Sequence, residues 1–214
     1  IETSIEGYYK EMTNTIDFKD HAALLLNPKL EGETRIGEAW SAGLEFLIRL
    51  DLSKLNGWIG YTLSKTERTI PGINNGNPYP APYDKPHNLS IVLNYPITND
   101  LQIGANWIYS TGNPVTFPTG RFELMGAVLP IYSDRNAYRM PDYHRLDVAL
   151  TYARPPKEGR KWQSEWNLSV YNAYARHNAW SINFVQDETD PTITRAELTY
   201  LFSIIPSITY NFKF

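Results

Sequence analysis

The sequence predicts an all-β fold, an antiparallel transmembrane β-barrel segment of about eight strands, and three observations carry that prediction. The final run has two unlike faces: Ile208, Tyr210, Phe212 and Phe214 alternate with Ser207, Thr209, Asn211 and Lys213. The same period of two, the signature of a half-buried strand, recurs from the first residues onward. The runs are joined by connections that are short and long by turns. A strand with one apolar face and one polar, charged face needs two solvents. A barrel wall supplies both, with lipid outside and a wet lumen inside.

The elements follow in order. Over 2–17, Ile1, Thr3, Ile5, Gly7 and Tyr9 oppose Glu2, Ser4, Glu6, Tyr8 and Lys10. Over 37–50, Ala42, Leu44, Phe46, Ile48 and Leu50 oppose Gly43, Glu45, Leu47 and Arg49. A third strand is placed over 57–68. Over 87–96 the apolar set is Leu89, Ile91, Leu93 and Tyr95, and over 101–111 it is Leu101, Ile103, Ala105, Trp107 and Tyr109. In 144–153, Leu146, Val148, Leu150 and Tyr152 oppose Arg145, Asp147, Ala149 and Thr151. In 162–175, Trp166, Leu168 and Val170 oppose Glu165, Asn167, Ser169 and Tyr171. The eighth strand covers 203–214, and 180–186 with 194–202 reads as an extended hairpin beyond the membrane. Charges in these alternating runs share a face with the small polar residues, as they should: Arg or Lys on the lipid face costs about 2–4 kcal/mol at mid-bilayer. Glu45, Arg49, Asn94, Asn106, Arg145, Asp147, Glu165 and Asn167 are therefore assigned to the lumen. Leu44, Phe46, Ile91, Leu93, Ile103, Leu146, Val148, Leu168 and Ile208 are assigned to lipid.

Short connections fall at Asp51–Asn56, Ile97–Asp100 and Arg154–Lys161, rich in turn-forming residues. Long ones fall near 18–36, 69–86, 112–143 and 176–202. Counting back from a periplasmic C-terminus puts every short turn on the periplasmic side and every long loop outside, the asymmetry outer-membrane barrels show. Composition agrees. Tyr and Trp outnumber Phe within an aromatic content of 14%, which suits rings at a membrane–water interface. No run approaches the roughly 20 apolar residues of a transmembrane helix. The absence of cysteine removes disulfides and thiolate metal sites. A net charge of −3 without a basic stripe argues against nucleic-acid binding.

Several runs resemble the C-terminal barrel of TonB-dependent receptors, above all the Bacteroidetes type. They are Tyr79-Pro80-Ala81-Pro82-Tyr83-Asp84-Lys85-Pro86-His87-Asn88-Leu89-Ser90, Ser110-Thr111-Gly112-Asn113-Pro114-Val115-Thr116, and Tyr138 through Asp147. Asn167 through Tyr174 and the ending Ile204 through Phe212 belong to the same set. The resemblance implies a 22-stranded barrel around an N-terminal plug, of which this segment supplies the last eight strands and four extracellular loops. It implies active uptake of an iron chelate, vitamin, glycan or peptide. The partners it implies are outer-membrane lipid, the TonB complex acting through an absent N-terminal region, and a surface lipoprotein in some members. A terminal aromatic strand such as Ile208, Tyr210, Phe212 and Phe214 also resembles the signal read by the barrel-assembly machinery. Ile1 already lies within a strand pattern, with no signal sequence before it, so the chain is expected to be a C-terminal piece of a longer protein.

No residue set announces catalysis, a cofactor or a metal, and the chain is read as no enzyme. His87 with Asp84 reads as a strand start hydrogen-bonded at the rim. Arg145 and Asp147 read as a lumen ladder that pairs charges across strands. His21, His87, His144 and His177 lack ligand spacing. Asp187, Glu188 and Asp190 read as a solvated turn rather than a calcium loop. Loops on rigid scaffolds carry function, and aromatic and Arg side chains give contact energy at low entropic cost. Tyr79, Tyr83, Arg121, Phe122, Arg135, Tyr138, Arg139 and Trp180 are accordingly the expected ligand contacts. Two rivals remain at this stage: a complete eight-stranded barrel with a structural or adhesive role, and a soluble β enzyme or lipid-binding barrel with its apolar face turned inward.

Overall fold

The alternating runs become one antiparallel sheet. In the computed structural model, which describes residues 1–125, 127–154, 162–187, 189 and 193–213, eight strands pair strictly in chain order. They are β1 (Glu2–Phe18), β2 (Thr34–Asp51), β3 (Asn56–Thr69), β4 (His87–Pro96), β5 (Leu101–Ser110), β6 (Tyr143–Ala153), β7 (Gln163–Tyr171) and β8 (Ile205–Lys213). Each expected strand is found within a few residues of its expected limits. The seventh and eighth are shorter, because Asn172 takes a left-handed conformation (φ 55°) that ends β7. Connections at 52–55 and 97–100 are tight, whereas 19–33, 70–86, 111–142 and 172–204 are long. The turn expected at Arg154–Lys161 lies, beyond Arg154, outside the described residues. So do Phe214 of the terminal signal and Glu188 and Asp190 of the acidic turn.

Register fixes the faces. One row runs Glu2, Arg49, Trp58, Val92, Asn106, Asp147, the next runs Ser4, Leu47, Gly60, Ser90, Ile108, Arg145, and the one after it runs Glu6, Glu45, Thr62, Asn88, Ser110, Tyr143. Asn94 opposes Gly104, which opposes Ala149 and then Ser169 and Ser207; Asn167 and Glu165 oppose Thr209 and Asn211. All eight residues assigned to the lumen therefore share one face. The opposite face carries rows such as Thr3, Ile48, Ile59, Ile91, Trp107, Leu146, and its Ile5, Leu168 and Ile208 are more than half exposed. Such a face covers lipid or nothing. Glu6 and Glu45 sit directly across from each other, an arrangement that destabilises a sheet unless water screens it, so the polar face must be wet.

Aromatic rows bound the apolar face. Toward the long loops stand Tyr9 stacked on Trp40, Tyr61 on His87, and Trp107 on Tyr109. Toward the turns stand Tyr95, Tyr152 and Trp166, the last packed on Tyr210 at 4.6 Å. Outward-facing Glu11, Lys65 and Glu67 depart from the expected placement of charge. They lie at or beyond the upper aromatic row, and Lys65 pairs with Glu67 at 2.8 Å and covers Trp40.

The sheet does not close. Among the described residues β1 pairs only with β2 and β8 only with β7. The buried apolar core is correspondingly small and lies in the second loop, where Ile70, Ile73 and Tyr79 pack together.

Candidate functional site

The long loops fold back over the end of the sheet and lock to one another. In β1 a bulge between Met12 and Thr15, with Asn14 at φ 57°, shifts the alternation by one residue and turns Asp17 onto the polar face. There Asp17 accepts from the Tyr79 hydroxyl at 2.9 Å and from Arg68 at 3.3 Å. Tyr79 is brought to it because Tyr79–Pro80 adds a two-residue bridge to β3. Burial, reinforced by the Asp17 carboxylate, pushes the Tyr79 phenol well above its usual range, so it remains a hydrogen-bond donor.

The third loop crosses the other two. Arg135 donates to the Phe18 carbonyl at 2.8 Å and pairs with Asp20 at 3.0 Å. Asn136 donates to the Pro80 carbonyl at 2.7 Å. Arg139 pairs with the buried Asp84 carboxylate and donates to the carbonyls of Asp84 and Gly112 at 2.8 and 3.1 Å. Asp84 also accepts from the Thr66 amide at 2.6 Å, so the ion pair hangs from β3. At the loop base Asp142 accepts from the Tyr109 hydroxyl at 2.7 Å and the Gly112 amide at 3.0 Å. Those two bonds, the Tyr109 one foremost, hold the Asp142 carboxyl below the ordinary carboxylate range. Between loops one, two and three lies a cavity of about 530 Å³, lined in part by Asp20, His21, Asn75, Tyr132, Asp134 and Arg135.

Below the loops, Arg145 lies over the Tyr171 ring at 4.1 Å and donates to the hydroxyls of Tyr143 and Tyr171. Its carboxylate partner is Asp147 on its own strand, at 2.8 Å. The expected cross-strand charge pair is thus an along-strand pair: side chains two residues apart point the same way, and the neighbouring strand offers Arg145 the Tyr171 hydroxyl, and Asp147 the Asn172 amide just past its end, instead of a charge.

A family model described as TonB dependent receptor-like, beta-barrel, matches residues 2–173. The chain belongs to the TonB dependent receptor-like β-barrel family. Comparison with curated proteins finds no match. A TonB-dependent receptor barrel implies the outer membrane and TonB-dependent transport, and the family is one of transporters; the two-faced sheet is the wall such a barrel needs.

Within this receptor barrel the expected ligand contacts divide. Tyr79 is 1% exposed and belongs to the loop core; Arg135 and Arg139 have their guanidinium groups committed to other loops. Tyr83 is exposed, with Arg68 over its ring at 5.6 Å. Tyr138, also exposed, stacks on Phe117. Arg121 and Phe122 stand on a hairpin formed by Pro118–Leu124 and Ala127–Tyr132, where Arg121 reaches Thr194 of the expected hairpin Ser181–Gln186 and Thr194–Thr199. Trp180 is 67% exposed. His87 shares a hydrogen bond with Tyr61 at 2.8 Å, the rim role expected of it. Asp17, Arg68, Asn136 and Asp142 were not singled out in the sequence. The Thr13-Asn14 pair, a bulge signal inside a strand, was the one clue to Asp17.

Proposed function

We propose that this segment is the C-terminal part of the wall and extracellular gate of an outer-membrane receptor that takes up a nutrient with energy delivered through TonB. The nutrient class is an iron chelate, vitamin, glycan or peptide. The observation that carries the reading is the open, two-faced sheet. Unpaired strand edges cannot face hydrocarbon, where nothing satisfies their N–H and C=O groups, so further strands of a larger barrel complete β1 and β8. The polar face, with Glu45, Arg49, Asn94, Asn106, Arg145, Asp147, Glu165 and Asn167, lines the channel and meets the plug. The alternation of tight turns and long loops supports a C-terminus on the periplasmic side. Ile208, Tyr210 and Phe212, continued by Phe214, present the apolar ending to the barrel-assembly machinery. A surface lipoprotein is the lid this reading allows over the loops.

The test is genetic and physical. Removing this gene, or the strain's TonB, abolishes uptake of the same nutrient in a panel of iron sources, vitamins, oligosaccharides and peptides. The native polypeptide extracted in detergent has a mass several-fold above the 24.6 kDa of these residues. Uptake that survives loss of TonB, or a native mass equal to this segment's, overturns the reading.

A further inference from the structure

A second cavity, of about 380 Å³, opens on the lumen wall beneath the loops, within the range of roughly 300–1,000 Å³ typical of small-molecule sites. Its floor is the polar face itself: Asn88 and Ser110 are cross-strand partners, and Ser90 lies one row below. Asn113 at the base of the third loop, Trp180 of the fourth and Lys85 of the second are among the residues that complete its lining. The side chains of Lys85, Asn88, Ser90, Ser110 and Asn113 form no hydrogen bond or ion pair with the described residues. That contrasts with the committed arginines a few residues away. Lys85 is half-buried and is the one charged residue among those lining the cavity. The Trp180 backbone is anchored by its amide to the Thr199 carbonyl at 2.7 Å, while the residue, part of the cavity lining, is largely exposed.

From this lining we infer that the cavity binds an acidic sugar, a polyhydroxylated ring bearing one carboxylate. Amide and hydroxyl groups that each donate and accept match ring hydroxyls. The Trp180 face covers the C–H side of such a ring. The Lys85 ammonium lacks a counter-charge that one carboxylate supplies. A chelate with several anionic groups would find a single cation here, and an apolar ligand would leave the amides unpaired. The inference rests on the uptake reading, for which it names the substrate class.

Calorimetry on the protein at its native length in detergent, with galacturonate and uncharged galactose as probes, tests it. Galacturonate binds at least about tenfold more tightly than galactose. Lys85→Gln removes that preference, and Trp180→Ala weakens galacturonate about tenfold, the effect expected of an aromatic anchor. Unchanged heat-modifiable migration of both variants shows that they are folded. Binding of neither probe at millimolar concentration, or binding indifferent to both substitutions, overturns the assignment. Uptake that requires TonB but ignores both variants removes the sugar and leaves the receptor. Binding as expected, with uptake indifferent to TonB, removes the receptor reading and leaves the site.

Discussion

Arg139 and Asp84 show how much one side chain can hold. The Asp84 side chain is 3% exposed and is answered by a guanidinium that also takes two carbonyls from separate loops. Arg139→Ala leaves that carboxylate buried without a counter-charge, and removing one partner of such a pair costs about 3–5 kcal/mol. Thermal unfolding in detergent should show the loss, and Arg139→Lys should recover only part of it, since an ammonium has no planar fork to span the carboxylate and both carbonyls. Gly112 is constrained from another side: a Cβ there would lie 1.7 Å from the Met140 carbonyl oxygen. Gly112→Ala must therefore displace the base of the third loop. The expected readout is faster proteolysis within 111–142, with the wall strands left intact. Asp142 gives the pH dependence. Its carboxyl titrates lower in the folded chain than in the unfolded one, so its contribution is complete above the unfolded value, near pH 3.9 for aspartate, and is lost as pH falls through the lower folded value. Protection of the Gly112 amide, its exchange rate taken relative to the intrinsic rate at each pH, should fall below about pH 4, and Asp142→Asn should abolish that step. Protection with the same acid step in the variant would exclude Asp142 as its source.

At the scale of the strand, the wall is legible in the chain because geometry and solvent impose the same period. Leu93 and Asn94 are neighbours on β4 on opposite faces of the sheet. On the proposed assignment of those faces, Leu93→Arg places a cation in lipid at about 2–4 kcal/mol and should reduce membrane yield, whereas Asn94→Ala should leave yield unchanged. Equal yields from the two variants would contradict the face assignment. The strands and their order could be read from residues because each strand is specified locally, by its own alternation. The loop bracing could not. Arg135 and Asp20, or Asn136 and Pro80, are far apart in sequence and meet only because three loops converge over one sheet end. No period links them, and an exposed-looking arginine in a long loop reads as a ligand contact. Lys85 shows the converse: beside Asp84 and His87, which read as the start of a strand at the rim, its ammonium has no hydrogen-bond or ion-pair partner among the described residues.

For the molecule as a whole, the wall and the loops obey different rules of change. The eight wall strands share one continuous ladder, so an inserted residue in any of them would move the later side chains of that strand to the wrong face unless a bulge absorbs it, as between Met12 and Thr15. Among the described residues the two outer hairpins, Pro118–Leu124 with Ala127–Tyr132 and Ser181–Gln186 with Thr194–Thr199, form strand pairs only within themselves, with the Arg121 bond to Thr194 between them. Beneath the first, Arg135, Asn136 and Arg139 fasten the loop to its neighbours before the chain returns to β6. Lengthening or replacing the tip between residues 118 and 132 therefore leaves the register of the wall untouched. The hairpins are exchangeable heads on a fixed mount, and revising them asks nothing new of the strands beneath.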